Sequence, residues 1–148
     1  MKSIKLLSFA NASLLIFVGI GAIAGGLGVI LDPSGESLGV SIDLLNNSPF
    51  ENFIIPGIFL FVVNGLSSLF ISYITLQKHR KAGIATIFLG IVMIIWIILQ
   101  AYWIGWINWL QPTFLIIGVV EVILGYLLST HYRFYGRKFW NHFGKFTS

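Results

Sequence analysis

The stretch VVEVILG, residues 119–125, places one carboxylate, Glu121, inside an apolar run of helix-forming length. Moving an ionised side chain to the centre of a bilayer costs roughly 2.5–3.5 kcal/mol, so an acid here requires an explanation. Gly118 and Gly125 fall on the same helical face as Glu121, and small residues mark close contacts between membrane helices. The spacing therefore predicts that Glu121 faces other helices.

Two amide side chains are expected to accompany this carboxyl. Asn64 lies eight residues after Pro56, and Glu121 lies nine residues after Pro112, which predicts similar depths. Gln100 is expected nearer the outer surface. These side chains form either a structural clamp of interhelical hydrogen bonds, which average about 0.6 kcal/mol each, or a functional centre that binds a proton, a cation or a ligand. The residue types leave both interpretations open.

Four apolar stretches are long enough to carry these residues across a membrane, because a spanning helix needs about 20 apolar residues. They cover residues 6–31, 53–76, 83–104 and 113–129. The chain is 57% hydrophobic and only 9% charged, whereas soluble domains carry about 25% charge. We therefore predict an all-α membrane protein, an antiparallel four-helix bundle over residues 1–130 with a tail at 131–148.

The basic residues predict how the bundle is oriented. All nine lysines and arginines lie in the N-terminus, the turn between the second and third spans, or the tail. The positive-inside rule makes that face cytoplasmic and predicts a multi-pass protein of a bacterial inner membrane. Four of the five acids lie in the opposite loop: Asp32, Glu36, Asp43 and Glu51. An aromatic cluster at the outer end of the third span is typical of a membrane interface: Tyr102, Trp103, Trp106 and Trp109.

The first span has a second interpretation. Lys2, Lys5 and the small residues at 22–24 are typical of a cleaved secretory signal. However, the apolar run continues to Leu31, which is longer than the core of a typical signal and favours a retained span. Within this span Gly21 and Gly25 have GxxxG spacing, which predicts close packing either inside the bundle or at a homodimer seam.

The outer loop carries two candidate site residues, Asp32 and Glu51. Ser48 followed by Glu51 is a capping-box pattern and Pro49 suits the first helical position. The pattern predicts a helix from Pro49 that bends at residues 56–57 into the second span. This segment either only marks the start of the helix or forms a lid over a cavity.

The tail HYRFYGRKFWNHFGKFTS places aromatic residues on one helical face and bases on the other. This pattern predicts an amphipathic helix on the anionic inner leaflet, with a protein partner as the alternative. Nucleic acid is disfavoured because a tail tethered to a span buries its aromatic side chains in lipid. The bases are Arg133, Arg137, Lys138 and Lys145.

Several motifs together resemble a family of small bacterial four-span membrane proteins with no established activity. They are the glycine-rich first span, DPSG, SPF followed by IPG, NG in the second span and WIILQ in the third. The resemblance implies the four-span topology and assigns no catalytic residue.

The residue inventory narrows the functional classes. The chain has no cysteine and no histidine within a span, which leaves no support for thiol redox chemistry, haem ligation in the bundle or a metal site, and no catalytic residue or cofactor is predicted. The leading hypothesis is an accessory or small-ligand-binding membrane component whose partners are the bilayer and a homodimer or larger complex. The alternatives are a small transporter or channel using Glu121, and an enzyme acting on lipid or quinone.

Overall fold

The computed structural model describes residues 2–143, with side chains through residue 133. This part of the chain is helical and contains no strand. Its four long apolar helices can each cross a membrane, and they cover Lys2–Leu31, Ile54–Leu76, Ala82–Ile104 and Leu110–Arg133. These bounds confirm the predicted four-span, all-α fold.

The second span is the irregular one. It consists of α2 (Ile54–Phe59), a π-helical segment (Leu60–Leu66) and α3 (Ser67–Leu76). The first and third spans are the unbroken helices α1 (Lys2–Leu31) and α4 (Ala82–Ile104). The fourth span belongs to α5 (Leu110–Phe143), which continues past residue 130 without a break.

The bundle is built from two helical hairpins. The first span packs mainly against the second, and α4 packs mainly against α5, while α1–α5 and α3–α4 contacts join the hairpins. Large apolar side chains such as Phe17, Phe70 and Phe88 remain exposed, a surface that suits lipid and not water. We call the end with the N-terminus and the 77–81 turn the basic end, and the end with the 32–53 loop the acidic end.

Glycines set the register of the second hairpin. A Cβ added to Gly83 would lie 2.7 Å from the Gly125 carbonyl oxygen, and one added to Gly90 would lie 2.7 Å from that of Gly118. Backbones this close tolerate no side chain between them. The antiparallel register therefore places Gly83 opposite Gly125 and Gly90 opposite Gly118.

The prediction that a helix begins at Pro49 is wrong. Residues 48–53 are bends and irregular backbone, and the helix starts at Ile54, whose N–H donates to Asn52 Oδ1 (3.0 Å). Ser48 Oγ donates to the Leu45 carbonyl (2.8 Å) at the end of a 3₁₀ turn and accepts from Phe50 N (3.2 Å) and not from Glu51 N, so the capping box with Glu51 is not formed. Pro56 lies in the first turn of α2, where its missing N–H costs little.

Candidate functional site

A cavity of about 230 Å³ lies among the four spans, in the half of the bundle nearer the acidic end. Its wall is mainly apolar and carries three amide side chains, which is the composition expected of a small-molecule site. The lining residues are Val18, Gly21, Ala22, Gly25, Leu60, Asn64, Met93, Trp96, Ile97, Gln100, Leu110, Gln111 and Phe114.

The π-helical segment carries Asn64 into this cavity. The side chain is only 1% exposed, and Oδ1 receives no hydrogen bond from any described residue. Around it, the Ser68 hydroxyl donates to the Asn64 carbonyl and the Ser67 hydroxyl donates to the Val62 carbonyl (3.2 Å). Because π-helical turns frequently occur at functional sites, a buried amide with a free acceptor in such a turn is a candidate ligand contact.

A free donor accompanies this free acceptor. Trp96 lines the same cavity and stacks on Phe59, with ring centroids 4.3 Å apart and an interplanar angle of 25°. The indole Nε1 is buried and has no acceptor among the described residues. Two residues of the cavity lining therefore carry a buried polar atom without a partner among the described residues, one an acceptor and one a donor.

The other two amides of the cavity differ in their bonding. Gln111 Oε1 accepts from Ile107 N (2.9 Å), and Gln111 Nε2 donates to the Gly105 carbonyl (3.1 Å). This amide therefore holds the 105–109 loop. Gln100 is half-buried and lines the cavity with Asn64, so the structure brings these two predicted site residues together.

Two residues of the cavity lining are exposed, and we call this part of the lining the mouth of the cavity. Gly21 is exposed, a Cβ added to it would meet no atom within 4 Å, and Leu110 is 40% exposed. Gly21 and Gly25 thus line the cavity, whereas Gly19 and Gly26 make the close contacts with the second span. The homodimer seam at Gly21 and Gly25 stays a prediction.

Glu121 lies inside the bundle but outside this cavity lining. Its side chain is fully buried, and neither carboxyl oxygen has a hydrogen-bond partner among the described residues. A Cβ on Gly90 would lie 3.0 Å from Glu121 Cβ. The carboxyl is therefore level with the middle of α4.

The prediction that Glu121 and Asn64 share a depth is wrong. Asn64 lines the same cavity as Leu110, the first residue of α5. Gly65, the residue after Asn64, packs against Gly19 and Ile23 of α1 beside the cavity, whereas Glu121 packs against Gly90, outside the cavity wall. Glu121 lies seven residues beyond Phe114, the last α5 residue of the cavity wall, which places it about 10 Å nearer the basic end.

An apolar layer lies on the first three spans between the cavity and the level of Thr86. Leu15, Ile71 and Leu89 form a buried cluster. Leu89 follows Thr86 by one turn on α4 and precedes Met93 by another. The polar side chains of the bundle therefore occupy two levels and not one.

The sequence analysis missed the second polar level. Asn11 is fully buried, and its Nδ2 donates to Thr75 Oγ1 (3.3 Å) and to Thr86 Oγ1 (3.0 Å). One side chain thus joins the first three spans. An asparagine within an apolar run was the available signal, the same one that identified Asn64.

The candidate residues of the acidic loop are not brought together by any described contact. Asp32 accepts hydrogen bonds from Ser34 Oγ (2.6 Å) and from Ser37 N (2.8 Å), and these lower the pKa of its carboxyl to about 2. Glu51 is exposed. Asp32 therefore organises the turn that follows α1.

The predicted membrane-surface tail is described only in part. Arg133 is exposed at the end of the fourth span. The side chains of Arg137 and Lys138, and the whole of Lys145, lie outside the described residues. Contact of these bases with a bilayer stays a prediction.

No protein-family model, curated protein or solved structure matches this chain. Its function must therefore be inferred from the geometry of its own residues.

Proposed function

We propose that this chain is a small-ligand-binding protein of a bacterial inner membrane, with both termini on the cytoplasmic side. The observation that carries the proposal is the cavity of about 230 Å³ that Asn64 and Gln100 share. Its free acceptor, Asn64 Oδ1, and its free donor, Trp96 Nε1, require partners, because buried polar groups without hydrogen bonds are costly.

The cavity predicts the chemical class of the ligand. Its volume is below the roughly 300–1,000 Å³ of typical ligand pockets, so the occupant is compact. The wall is mainly apolar, so most of the ligand is hydrocarbon. A hydroxyl group, which both donates and accepts, matches the two free polar groups of the wall.

The mouth of the cavity indicates how such a ligand arrives. Gly21 and Leu110 are exposed on the surface that would contact lipid. An apolar alcohol partitions into the bilayer and can therefore reach the cavity from the side. Gly21, with no atom within 4 Å of an added Cβ, keeps this approach open.

The apolar cluster of Leu15, Ile71 and Leu89 supports binding over transport. A transporter that used Glu121 would need a polar path from the cavity to the carboxyl. The cluster places buried aliphatic side chains at the level where Glu121 packs against Gly90, and neither carboxyl oxygen has a hydrogen-bond partner among the described residues, which disfavours such a path.

The proposal is tested with menthol and with menthane, its hydrocarbon counterpart without the hydroxyl. We expect menthol to raise the melting temperature of the purified protein in detergent more than menthane does. The difference should disappear in Asn64→Leu and in Gly21→Leu, which fills the mouth without a backbone clash. Ala24→Leu, on the exposed face of α1, is the matched control and should respond like wild type.

Equal responses to the two compounds, or a response that Gly21→Leu and Asn64→Leu leave unchanged, would overturn the proposal. The first result would mean that the hydroxyl is not recognised, and the second that the compounds act from the detergent or the protein surface.

A further inference from the structure

The polar level around Asn11 has a fixed hydrogen-bond direction. The hydroxyl of Thr75 donates to the Ile71 carbonyl (2.7 Å), and the hydroxyl of Thr86 donates to the Ala82 carbonyl (2.9 Å). A hydroxyl has one proton, so each threonine oxygen can only accept from the amide. The Nδ2 of Asn11 must therefore face both threonines.

This arrangement leaves Asn11 Oδ1 without a donor. The atom is buried and receives no hydrogen bond from any described residue. Turning the amide over would place its oxygen against two threonine oxygens that have no proton left to give. The donor must consequently come from another direction, and the fourth span, which contacts α1, is the one span that takes no part in this network.

Glu121 lies on that span at the matching depth. A hydrogen bond between Ser3 Oγ and His131 Nε2 (3.3 Å) aligns α1 with α5. Measured from this bond at 1.5 Å per residue, Asn11 is about 12 Å and Glu121 about 15 Å into the bundle. On the second hairpin, Glu121 packs against Gly90, which lies about one helical turn from Thr86 on α4.

Glu121 and Asn11 have complementary hydrogen-bonding groups. Glu121 is fully buried and neither of its oxygens receives a hydrogen bond from a described residue. No described donor would therefore stabilise an ionised carboxylate. A protonated carboxyl has one O–H to donate, and Asn11 Oδ1 is a buried acceptor at its depth that lacks a donor.

We propose that Glu121 is a reversible proton-binding site whose acid hydrogen is donated to Asn11 Oδ1. The ligand is the proton itself, and the site lies apart from the cavity of the proposed function and does not rest on it. The threonines act as positioning residues, since they hold the amide oxygen toward the carboxyl.

No other charged group lies at this level. In the sequence, α1 has no acid, base or histidine after Lys5, the second span has none between Glu51 and Lys78, and α4 has none after Lys81. The tyrosines of the neighbouring helical turns, Tyr73 and Tyr126, are each 61% exposed on the bundle surface. The proton on Glu121 is thus not controlled by a paired charge.

Exchange of the proton takes place through the basic end. The buried hydroxyls of Ser8, Ser129 and Tyr132 have no hydrogen-bond partner among the described residues. All three lie between the Asn11–Glu121 level and the basic end in the order of α1 and α5. Each hydroxyl can accept and donate a hydrogen bond, so together they can relay a proton or bind a water molecule. Toward the cavity, the first three spans carry the buried aliphatic cluster of Leu15, Ile71 and Leu89.

Dicyclohexylcarbodiimide, an apolar reagent, tests the protonated state directly. The acid O–H adds across one C=N bond, so that the carboxyl oxygen bonds to the central carbon and the proton goes to nitrogen. The acyl group then migrates to nitrogen to give an N-acylurea, and no group leaves. The protein gains the whole mass of the reagent.

We expect the wild-type protein at neutral pH to gain one such mass on the peptide that contains Glu121, with a rate that falls as the pH rises. Glu121→Gln should lose this adduct completely. Infrared spectra should show a protonated-acid carbonyl band in the wild type, and Asn11→Leu should move it to higher frequency because its hydrogen bond is lost. Asn64→Leu, on the other polar level, is the matched control and should leave the band in place.

Two results would overturn the proposal. One is an unlabelled Glu121 in a wild-type protein that lacks the acid carbonyl band, which would mean an ionised carboxylate. The other is protection of Glu121 by sodium ions at constant pH, which would mean a metal cation site. Both measurements use the wild-type chain and hold even if a variant does not fold.

Discussion

Gly90 and Gly118 lie opposite each other on α4 and α5, so close that a Cβ on Gly90 would stand 2.7 Å from the Gly118 carbonyl oxygen. The same relationship recurs seven residues away between Gly83 and Gly125. These two contacts fix the register of the hairpin and hence the depth of Glu121.

Replacing Gly90 with alanine should destabilise the protein. The new methyl group meets backbone, which cannot turn aside, and overpacking of this kind costs about 1–3 kcal/mol. The free energy of unfolding in detergent measures the effect. Gly21→Ala is the matched control, because its Cβ would meet no atom within 4 Å. Equal stability of the two variants would show that the seam is looser than described.

The helix start at Ile54 depends on Asn52 and not on Glu51. Asn52→Ala removes the oxygen that accepts from Ile54 N and should cost about 1 kcal/mol, as the loss of a helix cap does. Glu51→Ala should change the free energy of unfolding by much less, since Ser48 forms no capping box with it. A larger effect of Glu51→Ala would restore the capping box that the sequence suggested.

Thr86→Val should destabilise the bundle modestly. The change keeps the shape of the side chain but removes the oxygen that accepts from Asn11, and interhelical hydrogen bonds in membranes average about 0.6 kcal/mol. Thr130→Val, at an exposed position, serves as the comparison. A double-mutant cycle with Asn11→Leu should give a coupling energy of that size, and zero coupling would contradict the contact.

The turn after α1 should depend on pH through Asp32. The hydrogen bonds from Ser34 and Ser37 lower the pKa of its carboxyl to about 2, compared with about 3.9 in an unfolded chain. The folded turn is therefore stabilised fully above about pH 4, and this contribution is lost as the pH falls through about 2. Carbon NMR titration of the Asp32 carboxyl measures the pKa, which Ser34→Ala should raise toward the ordinary value.

Much of the fold follows from local pattern. The four apolar stretches specify four helices because a backbone in lipid must satisfy its own hydrogen bonds. Glycines three residues before and four after Glu121 placed it on an inward face, because helical spacing alone decides which residues share a side. The start of the second span was misjudged because the Ser48–Glu51 spacing is compatible with a cap, while the hydroxyl is used by the preceding 3₁₀ turn.

The sequence by itself determined that this chain has four apolar helices, with an acid and two asparagines within them. Only the tertiary structure decided which of these polar groups share a level. Asn64 lines the cavity with Met93 and Trp96, whereas Glu121 packs against Gly90, nearer the basic end and outside the cavity wall. The depth of a residue depends on how hairpins are staggered against each other, and stagger is set by contacts between distant residues that no local spacing records.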